Sequence, residues 1–136
     1  MVKNLKEIVQ KWLIKAGNDF KTAEQGFKAE EIITDTICFH CQQAVEKYLK
    51  AYLVSKNISP EKIHKIELLL EQCIKIDPSF EELNGIEILT EYAVELRYPD
   101  DFIIPSLEEA EEAFKLARKV RLYIINIFNR KENIIL

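Results

Sequence analysis

The segment that decides the fold is residues 39–51, which read FHCQQAVEKYLKA. At about 100° per residue, this segment and its flanks place their apolar side chains on one face of a helix over about residues 36–56. That face consists of Ile37, Cys41, Ala44, Val45, Tyr48 and Tyr52. His40, Gln43 and Lys47 form a polar line beside it, because their i, i+3 and i+7 spacing keeps them on one side of the helix.

On both sides of this segment, apolar residues recur at helical spacing. A first helix is predicted over about residues 4–28. A third helix is predicted to begin at Ser59-Pro60, with Ser59 as the cap and Pro60 at the first helical position, and to end at Asp77-Pro78. A short helical piece ending at Asn84-Gly85 follows, and then a fourth helix over about residues 86–97.

Polar residues mark two further helix starts. Any residue of Thr34-Asp35-Thr36 can cap the central helix. Ser106 and Glu109 have the spacing of a capping box, which predicts a last helix from there to about Phe128.

The composition supports a single all-α domain. The chain has 136 residues, 48% of them hydrophobic, and its 3 Gly and 4 Pro are too few for the turns of a β-sandwich or barrel. We therefore predict a bundle of four to five helices over residues 1–130, with a frayed tail at 131–136.

Charge and hydropathy narrow the class of protein. The formal net charge of −4 argues against a broad nucleic-acid-binding face, and no segment approaches the ~20 apolar residues of a membrane span. The N-terminus does not resemble a signal peptide, so we expect a cytoplasmic protein. Cys38, Cys41 and Cys73 are then interpreted as reduced, buried thiols, because the C-x-x-C spacing falls inside a helix without a second pair.

The line of His40, Gln43 and Lys47 has two interpretations. An imidazole, an amide and an ammonium aimed at one groove suit a nucleotide-like ligand, since Lys supplies charge and Gln can hydrogen-bond a base or ribose. Alternatively, the line is a boundary that hydrogen-bonds neighbouring helices. No metal site, cofactor site or glycine-rich phosphate loop is predicted.

Four other residues are candidates for supporting or extending such a site. Asp19 falls inside the apolar stripe of the first helix, so it is expected to meet a cation such as His40, Lys47 or Arg97. Arg97 either clamps a phosphate or caps the preceding helix, and Tyr98 can stack on a base. His64, just inside the predicted third helix, is interpreted as a supporting group.

These segments together resemble the HEPN (higher eukaryotes and prokaryotes nucleotide-binding) domain family. The likeness covers about residues 8–125, and its centre is FHCQQAVEK at 39–47 with LKA at 49–51. In the first helix it includes Trp12, Lys15-Ala16, Asp19 and Ala23. Farther along the chain it includes His64 with Leu68 to Leu70, the turn Arg97-Tyr98-Pro99-Asp100, and Glu108 to Arg118 of the last helix.

The resemblance implies an up-and-down helical bundle, often a homodimer, similar to the substrate-binding subunits of nucleotidyltransferases. Stand-alone prokaryotic members are commonly encoded beside a minimal nucleotidyltransferase in a toxin–antitoxin-like pair, and ATP or another nucleotide is the implied ligand. On this basis His40, Gln43, Lys47, Arg97 and Tyr98 are the predicted ligand-binding residues.

The chain departs from the ribonuclease branches of that family. Their Arg-x(4–6)-His motif cannot occur here, because His40 and His64 precede every arginine. Enzyme activity is therefore not predicted, and a ribonuclease with a differently assembled site stays an alternative. A third alternative is a purely structural interaction protein, with Phe39 and Leu53 at a dimer contact.

Overall fold

The computed structural model describes residues 2–60, 62–94, 98, 100 and 104–130, and this part of the chain is helical without a β-strand. The α-helices are α1 (Val2–Lys28), α2 (Thr34–Ser55), α3 (Ile66–Ile76) and α4 (Leu107–Arg130), and two 3₁₀ helices span Pro78–Leu83 and Ile86–Tyr92. The predicted all-α bundle is confirmed. The predicted tail at 131–136 lies outside the described residues. None of the described helices is long and apolar enough to cross a membrane.

Helix α2 is the centre of the bundle. All of residues 37–54 are described, and every one is buried except Phe39, His40, Gln43 and Lys47, which are partly exposed. The burial of one large apolar side chain contributes about 1.5–3 kcal/mol, so this helix anchors the core. Leu53 is fully buried, which contradicts its expected place at a dimer contact.

Helix α2 packs against both α1 and α4. Asp19 of α1 contacts Lys47 of α2, while Gly26, farther along α1, lies against Ile37 near the start of α2, so the two helices are antiparallel. The ring of Phe114 stacks on Phe20 with centroids 4.9 Å apart, which brings α4 beside α1. Both α1 and α4 pack on α2, and they contact each other much less.

Helix α3 begins later than the sequence predicts, at Ile66 rather than at Ser59-Pro60. The Pro60 carbonyl accepts a hydrogen bond from the Ile63 N–H and closes a turn. Lys65 then adopts an extended conformation, and the Ile66 N–H donates to the Thr90 hydroxyl, 24 residues away. Tertiary contacts thus override the local start signal, and His64 lies before the helix instead of inside it.

Two other local predictions differ from the structure. The residue before α2 is Ile33, without a side-chain cap, because the Thr34 hydroxyl donates instead to the Pro105 carbonyl at 2.7 Å. The predicted fourth α-helix is the 3₁₀ helix Ile86–Tyr92, after which Ala93 is extended. The remainder of that prediction, residues 95–97, lies outside the described part of the chain.

The other boundary signals agree with the structure. Ser106 and Glu109 form the predicted capping box, with reciprocal hydrogen bonds of 2.8 and 3.0 Å from backbone N–H to side-chain oxygen. Asp77 caps the first 3₁₀ helix by accepting from the Ser79 N–H. Gly85 then turns the chain with a φ of 109°, a conformation that favours glycine.

Candidate functional site

The candidate site lies where α1 crosses the partly exposed line of α2. His40, Gln43 and Lys47 are on that line, as their spacing predicts, and Asp19 approaches from α1. One Asp19 oxygen contacts His40 Nδ1 at 2.8 Å, and the other accepts from Lys47 Nζ at 2.6 Å. Two of the three side chains expected near Asp19, His40 and Lys47, therefore contact it.

The Asp19 carboxylate determines the protonation pattern of His40. Because an ionised carboxylate only accepts hydrogen bonds, the imidazole carries a proton on Nδ1, and in the neutral tautomer Nε2 is the acceptor. The Phe39 ring meets the imidazole edge to face, with centroids 5.2 Å apart, and further restricts its orientation. A histidine held this way can accept a proton or a hydrogen bond from a ligand.

A second polar row lies on α2 immediately inside the first. Gln43 Nε2 donates to Gln42 Oε1 at 2.7 Å, and Gln42 Nε2 donates to Glu46 Oε1 at 2.8 Å. The other Glu46 oxygen accepts from Lys50 Nζ at 2.9 Å and contacts His64 Nδ1 at 3.1 Å. This row connects the partly exposed Gln43 to three buried polar side chains and fixes the orientation of its amide.

The sequence interpretation missed Gln42, Glu46 and Lys50, all of which are buried. Their i, i+4 and i+8 spacing, and the Glu46–Lys50 order that favours a helical ion pair, were the available signals. Lys50 also lies over the Trp12 ring, 5.6 Å from its centroid, so α1 supplies a second contact to this cation. His64 contacts the buried Glu46, and its role as a supporting group stays a prediction.

The electrostatics of the site are balanced rather than strongly positive. Asp19 and Glu46 offset the charges of Lys47 and Lys50 at hydrogen-bond distance. A ligand that binds to His40, Gln43 and Lys47 would therefore be held by oriented hydrogen bonds rather than by a net positive charge.

The two remaining predicted ligand-binding residues follow the second 3₁₀ helix in the chain. Tyr98 is 77% exposed, so its ring is accessible to a ligand, and its role in stacking on a base stays a prediction. Arg97 lies outside the described residues, so its predicted roles as phosphate clamp and as partner of Asp19 stay predictions.

The cysteines are free thiols in the core. Burial raises the pKa of Cys38 to about 11 and also raises the pKa of Cys41 and of Cys73, so all three are protonated at neutral pH. Among the described residues, no group of three or more His, Cys, Asp or Glu side chains is placed to hold a metal ion.

Comparison with known proteins agrees with this architecture. No curated protein and no solved structure matches the chain. The family model of the HEPN domain matches residues 9–128, which run from the buried Val9 of α1 to the buried Phe128 of α4. Because that match covers most of the 136 residues, the chain belongs to the HEPN domain family.

Proposed function

We propose that this protein is a nucleotide-binding partner subunit of a minimal nucleotidyltransferase in a two-component, toxin–antitoxin-like system. The observation that carries the proposal is the partial exposure of His40, Gln43 and Lys47 along a helix that is otherwise largely buried between residues 37 and 54. Membership of the HEPN family supports it, because the resemblance implies that pairing and a nucleotide ligand.

The free hydrogen-bonding capacity of this line suits a nucleoside phosphate. The Gln43 amide nitrogen is engaged with Gln42, so its carbonyl oxygen is the group that can accept from a base or a ribose hydroxyl. His40 Nε2 offers a second acceptor. Lys47 has three protons and uses one on Asp19, so it can donate to a phosphate oxygen.

The partner can be tested by affinity capture of the tagged protein from its native cells, with mass spectrometry of bound proteins and nucleotides. Recovery of a small nucleotidyltransferase at near-equal stoichiometry is the expected result. Light scattering of the purified protein alone should give the mass of a homodimer. Recovery of the protein without a nucleotidyltransferase and without a nucleotide would contradict the proposal and favour a structural interaction protein.

A metal-independent ribonuclease is the second candidate function, and one contact favours it. Asp19 holds His40 through Nδ1, which is the arrangement that prepares the opposite ring nitrogen to act as a general base. RNA cleavage by the purified protein, lost in His40→Ala and retained in His64→Ala, would establish this activity. Cleavage that persists in the double variant would exclude both imidazoles.

A further inference from the structure

A cleft opens between α1 and α4, away from the candidate nucleotide site. Its volume is about 370 Å³, within the range of small-molecule sites. It forms because both helices pack on α2 while contacting each other little, and because Gly17 of α1 places no side chain there. At about 100° per residue, Asp19 borders one edge of the buried stripe of α1 and this cleft borders the other.

The two ends of the cleft differ chemically. Phe27 of α1 contacts Phe114 of α4 and Phe20 contacts Arg121, so the two helices are antiparallel. Along the cleft, Asn18 and Lys21 are therefore at the Arg121 end, and Leu13 and Ile14 are at the Ile125 end. One end is therefore cationic and the other apolar. The described residues that line the cleft include two cations and no carboxylate.

The floor of the cleft is the buried side chain of Tyr48, which is 2% exposed. Burial raises the pKa of its hydroxyl, and the positive charge of Arg121 partly opposes that rise. The hydroxyl is thus neutral, and its proton can be donated to a ligand. The guanidinium itself lies over the Phe20 ring, 5.0 Å from the centroid, which holds it at the cationic end.

We propose that this cleft binds a small amphipathic anion, with its carboxylate or phosphate head at Arg121 and Tyr48 and its apolar part against Leu13, Ile14 and Ile125. The guanidinium has five N–H donors arranged in a planar fork, so it can contact Tyr48 and still donate to an anionic head. This cleft is distinct from the proposed nucleotide site, because the two share no residue.

Calorimetric titration of the full chain with octanoate, octyl phosphate and the neutral octanol tests the proposal. We expect saturable binding of at least one anion, with octanol weaker by roughly tenfold or more, since charge-assisted hydrogen bonds are lost. Shifts of the Gly17 and Ile14 amide resonances on titration should locate the bound molecule. Comparison of the two anions distinguishes a carboxylate from a phosphate ligand.

Three variants test whether the anion binds in this cleft. Arg121→Gln should reduce the affinity for the anion to that for octanol, whereas Arg118→Gln, about one turn away on α4 and outside the cleft lining, should bind as the wild type does. Ile14→Glu places a carboxylate at the cleft mouth and should repel the anion, and because Ile14 is 62% exposed the variant should fold. Circular dichroism and thermal melts establish that each variant is folded.

Equal affinity for octanoate and octanol, or unchanged anion affinity in Arg121→Gln or Ile14→Glu, would overturn the proposal. A cleft covered by a second copy of the chain would give a different result, in which no anion binds and Ile14→Glu converts a dimer to a monomer in sedimentation velocity. That outcome also overturns the ligand site.

Discussion

The Asp19 carboxylate of α1 accepts a 2.6 Å hydrogen bond from the Lys47 ammonium of α2, and its second oxygen contacts His40 at 2.8 Å. One acidic side chain thus joins two helices and sets the charge of the candidate site. The same contact implies that an anionic ligand must compete with Asp19 for Lys47.

Substitutions of this pair should therefore change nucleotide affinity in opposite directions. Lys47→Ala should weaken ATP binding by roughly tenfold or more, because a charge-assisted hydrogen bond is lost. Asp19→Asn should strengthen it, because the competing negative charge is removed while a polar group stays. Equilibrium binding measured by calorimetry checks both, with Lys75→Ala as the control, since Lys75 lies on α3 in an exposed ion pair. Equal losses of ATP affinity in Asp19→Asn and Lys47→Ala would contradict a competition between Asp19 and the ligand for Lys47.

The buried Glu46–Lys50 pair should matter for stability. Glu46→Gln leaves Lys50 buried without this carboxylate and should reduce the free energy of unfolding by about 3–5 kcal/mol. The double variant Glu46→Leu, Lys50→Met should be more stable than Glu46→Gln, because apolar groups of similar volume need no counter-charge. Urea denaturation measures both. The matched control is Glu71→Gln, in the exposed pair with Lys75, and it should change the free energy of unfolding little. A loss of stability in Glu71→Gln as large as in Glu46→Gln would show that burial of the pair has no special effect.

Two glycines of α1 should respond differently to the same substitution. A Cβ at Gly26 would lie 2.6 Å from Ile37 Cγ1, so Gly26→Ala forces a buried side chain to move and should destabilise the protein by about 1–3 kcal/mol. A Cβ at Gly17 would lie 3.8 Å from the Tyr48 hydroxyl, an ordinary contact, so Gly17→Ala should stabilise the helix by about 0.5–1 kcal/mol. Thermal melts compare the two variants. A Gly26→Ala variant as stable as Gly17→Ala would contradict the close approach of Gly26 to Ile37.

The buried thiols should make the protein sensitive to alkaline pH. Burial raises the pKa of Cys38 from its ordinary value of 9.0 to about 11, so the folded state favours the protonated thiol. A raised pKa contributes stability that is present below pH 9 and is lost as pH rises through about 11. The pKa values of Cys41 and Cys73 are raised in the same direction.

Denaturation at pH 7, 9 and 11 should show this loss, and Cys38→Ala should reduce its steepness. Alkylation of the thiols with iodoacetamide at pH 8 should be slow in the folded protein and fast in urea, because reaction requires an exposed thiolate. Rapid alkylation of the folded chain would contradict the burial of all three cysteines.

The long helices and one helix cap could be predicted from the sequence because they depend on residues that are close together in the chain. Apolar spacing near 3.6 residues per turn predicted α1, α2 and α4, and the Ser106–Glu109 capping box has the predicted hydrogen bonds. The line of His40, Gln43 and Lys47 also follows from spacing along a single helix. The sequence also predicted that Asp19 would contact His40, Lys47 or Arg97, because a carboxylate within an apolar stripe requires a counter-charge.

Other features could not be predicted, because they depend on contacts between residues that are far apart in the sequence. The start of α3 depends on the contact of Ile66 with Thr90, and the cap expected at Thr34 is replaced by its bond to Pro105. Spacing shows which side chains share a helix face but not what covers that face, so the sequence did not reveal that α2 buries the charged pair of Glu46 and Lys50. The cleft beside Gly17 likewise depends on tertiary packing, because α1 and α4 both pack on the central helix and contact each other little.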